Sequence, residues 1–172
     1  MIELKDILAR TDEWLKYGEA KNGALLALCG AFTFGLLQNP CKLMGVHWLI
    51  DAAFILMLIL LVVSMVICLS SFLPKLTPPW VNFNHSPNDI NILYFGDICC
   101  LTPQTFLSTY YDKVDKKESF SKEDSQYAKQ IVVNSKIAYI KHTQFKIAAW
   151  LTMCALITPV GALLLKFIGN KF

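Results

Sequence analysis

The sequence predicts an all-α membrane protein with three transmembrane helices, helical cytoplasmic extensions and an N-terminus inside the cell. Apolar residues make up 55% of the 172 positions and charged residues only 17%, against about 25% charged residues in an average soluble domain. The apolar residues cluster in three uncharged blocks, and most basic residues lie outside them on what becomes one side of a membrane. Together these observations favour a membrane protein over an apolar soluble one.

The three uncharged blocks define the spans. They cover 22–41, 52–74 and 147–165, which are 20, 23 and 19 residues long. A helix needs about 17–25 apolar residues to cross a bilayer, so the second and third blocks are long enough, while the first is short and glycine-rich. A buried core helix is the alternative for each block. The predicted transmembrane helices are 22–38, 49–74 and 144–168, with 39–48 as the outer loop.

The basic residues predict the orientation of the chain. Four of them lie in 1–21 and nine in 75–146, which is 13 of the 16 lysines and arginines. Because basic residues favour the cytoplasmic side of a membrane, we expect a cytoplasmic N-terminal helix over 1–21, a cytoplasmic helical region over 75–143 and an external C-terminus.

Both cytoplasmic parts are predicted to continue as helices into the membrane. One helix runs from about Leu4 to about Leu37, because no proline interrupts it, and another begins near Lys122 with Ser121 as its N-cap. Between them, "NILYFGDI" is either a helical turn or a short strand, and Pro103 opens a further helix. The first helix carries a heptad-like series: Leu4, Leu8, Thr11, Leu15, Gly18 and Asn22.

Small residues recur every fourth position along the first span. They are Gly23, Ala27, Ala31 and Gly35. In lipid, helices gain stability from close approach of their backbones, so these residues predict a helix-packing surface. The third span, with Ala148, Ala155 and Ala162, is the expected neighbour, and the apolar second span is expected to face lipid. The alternative is that the small residues are incidental, because glycine is frequent in membrane helices.

Polar residues gather where each stem meets the membrane. They are Glu19, Lys21 and Asn22 before the first span, and Ser135 and Gln144 before the third. One interpretation is a hydrogen-bonded, charge-paired collar that fixes helix register. The other is a ligand site or gate built from the same region, where Gln130, Asn134 and Lys141 share one helix face.

No catalytic motif occurs in the sequence. It contains no nucleophile–base pair, Walker loop or dinucleotide fingerprint, so we expect no enzymatic activity, no catalytic residue and no cofactor. The three histidines are scattered, which predicts no metal site, and the adjacent Cys99 and Cys100 are interpreted as small buried hydrophobic residues.

Three segments together carry a family resemblance. They are "EAKNGALLALCGA" entering the first span, "NILYFGDI" after the second, and "QIVVNSKIAYIKHTQFKIA" leading into the third. In order and spacing, over nearly the whole chain, they resemble the Pycsar effector domain, a small transmembrane effector of bacterial anti-phage systems. The sequence departs at His142, where family members usually carry an aromatic residue.

The resemblance implies a function that composition and periodicity do not show. Such effectors reside in the bacterial inner membrane as multi-pass proteins, respond to cyclic CMP or cyclic UMP, and damage the membrane so that the infected cell stops growing or dies. The expected partners are the lipid bilayer, the cyclic pyrimidine nucleotide and further copies of the chain in a homo-oligomer, with no nucleic acid polymer. Gln130, Asn134 and Lys141 are the hypothetical nucleotide contacts. The alternatives are a non-enzymatic membrane scaffold that docks a cytoplasmic protein and a gated ion channel.

Overall fold

The structure is a computed structural model that describes residues 2–38, 48–73, 90–115 and 120–169. These residues form five α-helices and no strand. The helices are α1 (Leu4–Leu37), α2 (Trp48–Ser70), α3 (Phe95–Ile98), α4 (Pro103–Lys113) and α5 (Lys122–Gly169). Predictions that concern the outer loop and the segment directly after the second span lie outside the described residues.

Three of these helices, α1, α2 and α5, are long and apolar enough to cross a membrane, which confirms the predicted all-α membrane fold. α1 is one continuous helix of 34 residues, as expected. α5 is 48 residues long and starts as predicted, because the backbone N–H of Asp124 donates to Ser121 Oγ at 3.0 Å. Such a bond satisfies one of the donors that every helix start leaves open.

The chain divides into two compact units. The first contains Met1–Ala20 and Pro74–Thr143, and the second contains Lys21–Leu73 and Gln144–Phe172. Each unit therefore holds a part of α1 and a part of α5.

The first unit is built around a small aromatic-rich core. The buried members of this core are Leu4, Ile7, Ile92, Ile98, Phe106, Leu107, Tyr110, Tyr111, Ala128, Ile131 and Val132. Two tyrosine hydroxyls at its edge find acceptors: Tyr110 donates to the Ile2 carbonyl at 2.8 Å and Tyr111 to Asp124 Oδ2 at 2.6 Å. These bonds tie α4 to the start of α1 and the start of α5, and they satisfy hydroxyls that burial would otherwise penalise.

The segment "NILYFGDI" contains a short helix, α3, so the structure decides between the two alternatives of the sequence analysis. The Asn91 backbone N–H donates to Asp97 Oδ2 at 2.9 Å, which closes the turn in front of the helix. A side chain at Gly96 would overlap the ring of Tyr94, so glycine keeps that ring close to the backbone.

The second unit packs α2 against the membrane parts of α1 and α5. Its buried apolar residues are Leu25, Cys29, Met57, Leu61, Cys68, Ala148 and Ala155. α2 does not face lipid all round, because one side of it is buried at 3–4 residue spacing from Ile50 to Cys68. The opposite side of α2, including Ile59 and Val66, is exposed as a lipid-facing surface requires.

The stripe of small residues does not pack as expected within one chain. Ala27, Ala31 and Gly35 are exposed, and the third span does not cover them, contrary to the sequence-based expectation. α1 instead turns Leu25 and Cys29 inward, because these two residues continue the heptad series of the first stem. At Gly23 the ring of Phe72 lies 3.8 Å from where a Cβ would be, whereas a Cβ at Gly35 would meet no heavy atom of the described residues within 4 Å.

Candidate functional site

Polar side chains link α1 to α5 in the first unit. Asn134 Nδ2 donates to Asp12 Oδ1 at 2.6 Å, and Lys141 Nζ lies 3.1 Å from Glu19 Oε1. Within α5, Gln130 Nε2 donates to Asn134 Oδ1 at 2.9 Å and so orients the Asn134 amide. The two α1 residues are seven positions apart, and so are their contacts on α5. The helices therefore run parallel in this unit, in a heptad register.

Gly18 makes the closest approach of these helices possible. A Cβ at this position would lie 3.3 Å from the Cβ of Lys141, which is tighter than ordinary van der Waals contact. The missing side chain therefore leaves room for Lys141 beside Glu19. The Lys141 residue is only 8% exposed, and a buried ammonium group needs such a counter-ion because desolvation of the charge is costly.

The three predicted nucleotide contacts lie on α5, but their polar groups already bind other side chains. Asn134 is 9% exposed and lies between Gln130 and α1, while Lys141 follows two helical turns later, about 10.5 Å along the axis. An incoming anion would therefore have to replace Glu19 at the Lys141 ammonium group.

An aromatic cluster, formed by Trp14, Tyr17, Phe95 and His142, lies beside this contact. The His142 ring stacks on Phe95 with centroids 5.1 Å apart, and its Nε2 lies 3.3 Å from the Trp14 carbonyl oxygen. Trp14 also packs on Phe95 at 5.4 Å. The departure at His142 is thus conservative, since the imidazole takes the place of an aromatic ring. Trp14 and Phe95 were not predicted as members of this cluster, although the unusual residue at 142 was the available signal in the sequence.

The Cys99–Cys100 pair lies next to α3 and serves packing. Cys99 is fully buried and its thiol donates to the Gly96 carbonyl at 3.0 Å, while the two sulfur atoms are 3.7 Å apart. Burial raises the pKa of the Cys99 thiol to about 12, and the neighbouring Cys100 adds to the effect. The thiol is therefore protonated at neutral pH and is a poor nucleophile.

A cavity of about 530 Å³ lies along the first unit's part of α1. Its described lining residues are Asp6, Ala9, Arg10, Glu13, Trp14 and Tyr17. Its volume suits a small ligand, but two carboxylates outnumber the single guanidinium group. The lining therefore disfavours a phosphate ester.

In the second unit, two amide side chains are buried where the predicted collar meets the membrane. Asn22 is 0% and Gln144 is 1% exposed. Gln144 Nε2 donates to Ser70 Oγ at 2.9 Å, and Lys21 Nζ lies 5.3 Å from the centroid of the Phe145 ring. These contacts join all three membrane helices of this unit at one level.

The predicted collar residues divide between the two units. Glu19 and Ser135 belong to the first unit, and Lys21, Asn22 and Gln144 belong to the second. Ser135 is fully buried, and its hydroxyl has no hydrogen-bond partner among the described residues. A single continuous collar therefore stays a prediction.

Deeper in the second unit, the three spans meet in a polar layer that the sequence analysis missed. It consists of Cys29 on α1, Ser64 on α2 and Thr152 on α5, all at most 3% exposed. Thr152 Oγ1 lies 2.9 Å from Ser64 Oγ and 3.2 Å from Cys29 Sγ. The Ser64 hydroxyl donates to the Ala148 carbonyl at 3.0 Å.

Comparison with known proteins gives the family. The Pycsar effector protein domain, PycTM, matches residues 3–168. The chain belongs to the Pycsar effector family. It is 32% identical over 142 residues to the Pycsar effector protein RsPycTM of a Rhizobium species, an alignment that covers 78% of this chain and 76% of the relative. No solved structure shows a significant match.

Membership confirms the resemblance and supports a role as an anti-phage membrane effector. The three segments that carried the resemblance also carry the contacts described above. The first contributes Glu19 and Cys29, the second forms α3, and the third contributes Asn134 and Lys141. In this Pycsar effector, these segments therefore hold the helices of each unit together.

Proposed function

We propose that this Pycsar effector responds to a cyclic pyrimidine mononucleotide, cCMP or cUMP, and impairs the bacterial inner membrane, which stops growth of the infected cell or kills it. The family match over residues 3–168 carries the proposal. Three helices of membrane-spanning length supply the part that acts on the bilayer. The N-terminal helix and residues 75–143 face the cytoplasm, where the nucleotide is made.

The buried ammonium group of Lys141 is the proposed contact for the nucleotide phosphate. Charge-assisted hydrogen bonds to a phosphate are strong, and this cation already has an anionic partner in Glu19 at 3.1 Å. The nucleotide phosphate replaces that carboxylate. The side-chain amides of Gln130 and Asn134 offer both donors and acceptors to the pyrimidine base.

Exchange of Glu19 for phosphate would favour a second conformation. A ligand shifts an equilibrium only through its different affinities for the two states. The state seen here has the Glu19–Lys141 ion pair, and the nucleotide-bound state lacks it. Loss of the Glu19–Lys141 ion pair removes one of the polar contacts that hold α1 to α5 in the first unit. Both helices continue into the second unit.

The active form is proposed to be a homo-oligomer. Three helices per chain are too few to enclose a pore. The exposed Ala27, Ala31 and Gly35 offer a surface on which the helix of a second copy can approach closely.

Leakage from liposomes that contain the purified protein tests the proposal. We expect cCMP or cUMP to release a trapped dye, whereas cAMP should not. Lys141→Glu should abolish the response without loss of membrane insertion, while Lys136→Glu, which makes the same charge reversal at an exposed site of α5, should keep it. The double variant Glu19→Lys/Lys141→Glu retains an ion pair but moves the cation to α1, and it should also be unresponsive.

The outcomes separate the functional classes. Full nucleotide-dependent release by Lys141→Glu would remove Lys141 as the messenger contact. Absence of release under every nucleotide would favour a scaffold that docks a cytoplasmic protein. Ion conduction without passage of the dye would favour a gated channel.

A further inference from the structure

Polar side chains are stacked inside the second unit in two layers. The first is the Cys29–Ser64–Thr152 layer, and the second contains the bonded pair Ser70 and Gln144 together with Asn22, which is buried on α1. On α1 the layers are seven residues apart, about 10.5 Å by helical rise. Each layer takes a residue from each of the three membrane helices, so the polar groups follow the axis of the three-helix packing.

Small polar residues such as Ser and Thr are common at helix-packing interfaces in membranes, so the inference depends on the positions of these residues. Hydrogen bonds between membrane helices add little stability, and small apolar residues would fill the same space. On α2, Ile59, Val62 and Val66 face outward while Ser64 faces inward. Polar residues that face the interior of a membrane bundle are a general mark of a path for water or ions.

One buried polar atom lacks a hydrogen bond in the closed packing of the described residues. Gln144 is 1% exposed, and its Oε1 has no hydrogen-bond partner among the described residues. A buried acceptor without a donor is costly. Water that enters between the helices would supply a donor to Gln144 Oε1. The layer that contains Ser70 and Gln144 therefore favours a hydrated state.

We propose that the helix faces carrying Cys29, Ser64 and Thr152 line the aqueous path through the membrane in the active protein. The same faces are turned toward one another and buried in the structure described here. The species that pass are water and small hydrated solutes. The inference rests on the proposed function, since it identifies where the leak occurs.

Two native cysteines allow a matched test. Cys29 lies in the polar layer. Cys154 lies two residues beyond Thr152 on α5 and is exposed, so it faces the lipid rather than the other two helices. Single-cysteine proteins are made in liposomes by replacing the other five of the six cysteines with alanine. A membrane-impermeant, positively charged methanethiosulfonate reagent reads access to water, because it reacts with thiolates, which need water to form.

With cCMP or cUMP present, we expect the reagent to modify Cys29 about tenfold faster or more than without nucleotide. Cys154 should stay unmodified in both conditions. The added charge and bulk at Cys29 should also reduce dye release. Ser64→Cys, in a protein with no other cysteine, provides a second reporter on α2 and should behave like Cys29.

Each of the remaining outcomes contradicts either this inference or the proposed function. Dye release with both Cys29 and the Ser64→Cys reporter unmodified overturns this inference alone and leaves the layer a structural contact. Equal modification of Cys154 points to general bilayer damage and overturns it as well. No dye release under either nucleotide overturns the proposed function and this inference with it.

Discussion

Gly18 lies where α1 and α5 come closest in the first unit, so the direction in which its substitution changes the stability of the protein can be predicted. Alanine normally stabilises a helix relative to glycine by about 1 kcal/mol. Here its methyl group would lie 3.3 Å from the Cβ of Lys141, an atom close to the backbone that cannot easily move. Overpacking costs about 1–3 kcal/mol, so we expect Gly18→Ala to lower the melting temperature of the protein.

Gly30 provides the control for this prediction on the same helix. A Cβ there would meet no heavy atom within 4 Å, so Gly30→Ala should leave the melting temperature unchanged or raise it. Thermal unfolding in detergent, followed by circular dichroism, measures both variants. Equal effects of the two substitutions would contradict the close approach at Gly18.

The Cys99 thiol should resist alkylation near neutral pH. A pKa of about 12 instead of 9 lowers its thiolate fraction about 1,000-fold at pH 8. N-ethylmaleimide should therefore modify a protein that retains only Cys100, the half-buried neighbour, much faster than one that retains only Cys99. Mass spectrometry over time measures the rates, and equal rates would show that Cys99 is accessible and ionised.

The same pKa predicts a loss of stability in alkaline solution. The folded protein holds the Cys99 proton more tightly than the unfolded chain does, because the pKa is raised from 9 to about 12. Where the folded state binds more protons, the free energy of unfolding falls as pH rises. The contribution is complete below pH 9 and is lost between pH 9 and 12. Cys99→Ala should show a weaker fall in melting temperature over that range than the parent protein.

At the scale of helices, the parallel register of α1 and α5 can be tested by a disulfide. The Cβ position of residue 18 lies 3.3 Å from that of Lys141, close to the 3.5–4.5 Å that disulfides span. In a protein without other cysteines, Gly18→Cys/Lys141→Cys should oxidise rapidly to an internal disulfide, seen as a mobility shift on a non-reducing gel. Gly18→Cys/Lys136→Cys should not, because Lys136 lies on the exposed face of α5.

The extent of the helices was predictable from the sequence, because their limits depend on local signals. The bounds of α1, α4 and α5 were predicted close to those observed. The signals were the length of the uncharged blocks, the Ser121 N-cap and Pro103. Which face of α1 is buried was less certain. The heptad series predicted it, whereas the small residues predicted a face on which Ala27, Ala31 and Gly35 are exposed.

The contacts between helices were harder to predict, for a physical reason. The polar layer joins Cys29 to Thr152, 123 residues away, and each of these residues alone is an ordinary member of an apolar helix. Only the relative rotation of three helices brings them together. By contrast, Glu19 was predicted as a collar residue and Lys141 as a nucleotide contact, and the structure pairs them.

For the whole molecule, the exposed stripe on α1 predicts how copies assemble. Ala27→Leu/Ala31→Leu changes residues that are exposed among the described residues of one chain, so membrane insertion should be unaffected. If a second copy packs there, the added bulk should prevent close approach, and chemical cross-linking in liposomes should yield monomers. Leu28→Ala, on the neighbouring exposed surface of the same helix, is the control and should still cross-link to oligomers. Unchanged oligomers in the double variant would place the interface elsewhere.

The orientation of the whole chain follows from charge, and it decides whether the proposed nucleotide contact is accessible. Thirteen of the 16 basic residues lie in 1–21 and 75–146, and moving such residues across a membrane is unfavourable. With three crossings, we therefore expect the N-terminus and Lys141 in the cytoplasm and the C-terminus outside. Alkaline phosphatase, which folds only outside the cytoplasm, should be active when fused after Phe172 and inactive when fused before Met1, while green fluorescent protein should show the reverse. A fluorescent C-terminal fusion would require an even number of crossings or an inverted chain, and in the inverted chain Lys141 would be out of reach of a nucleotide made inside the cell.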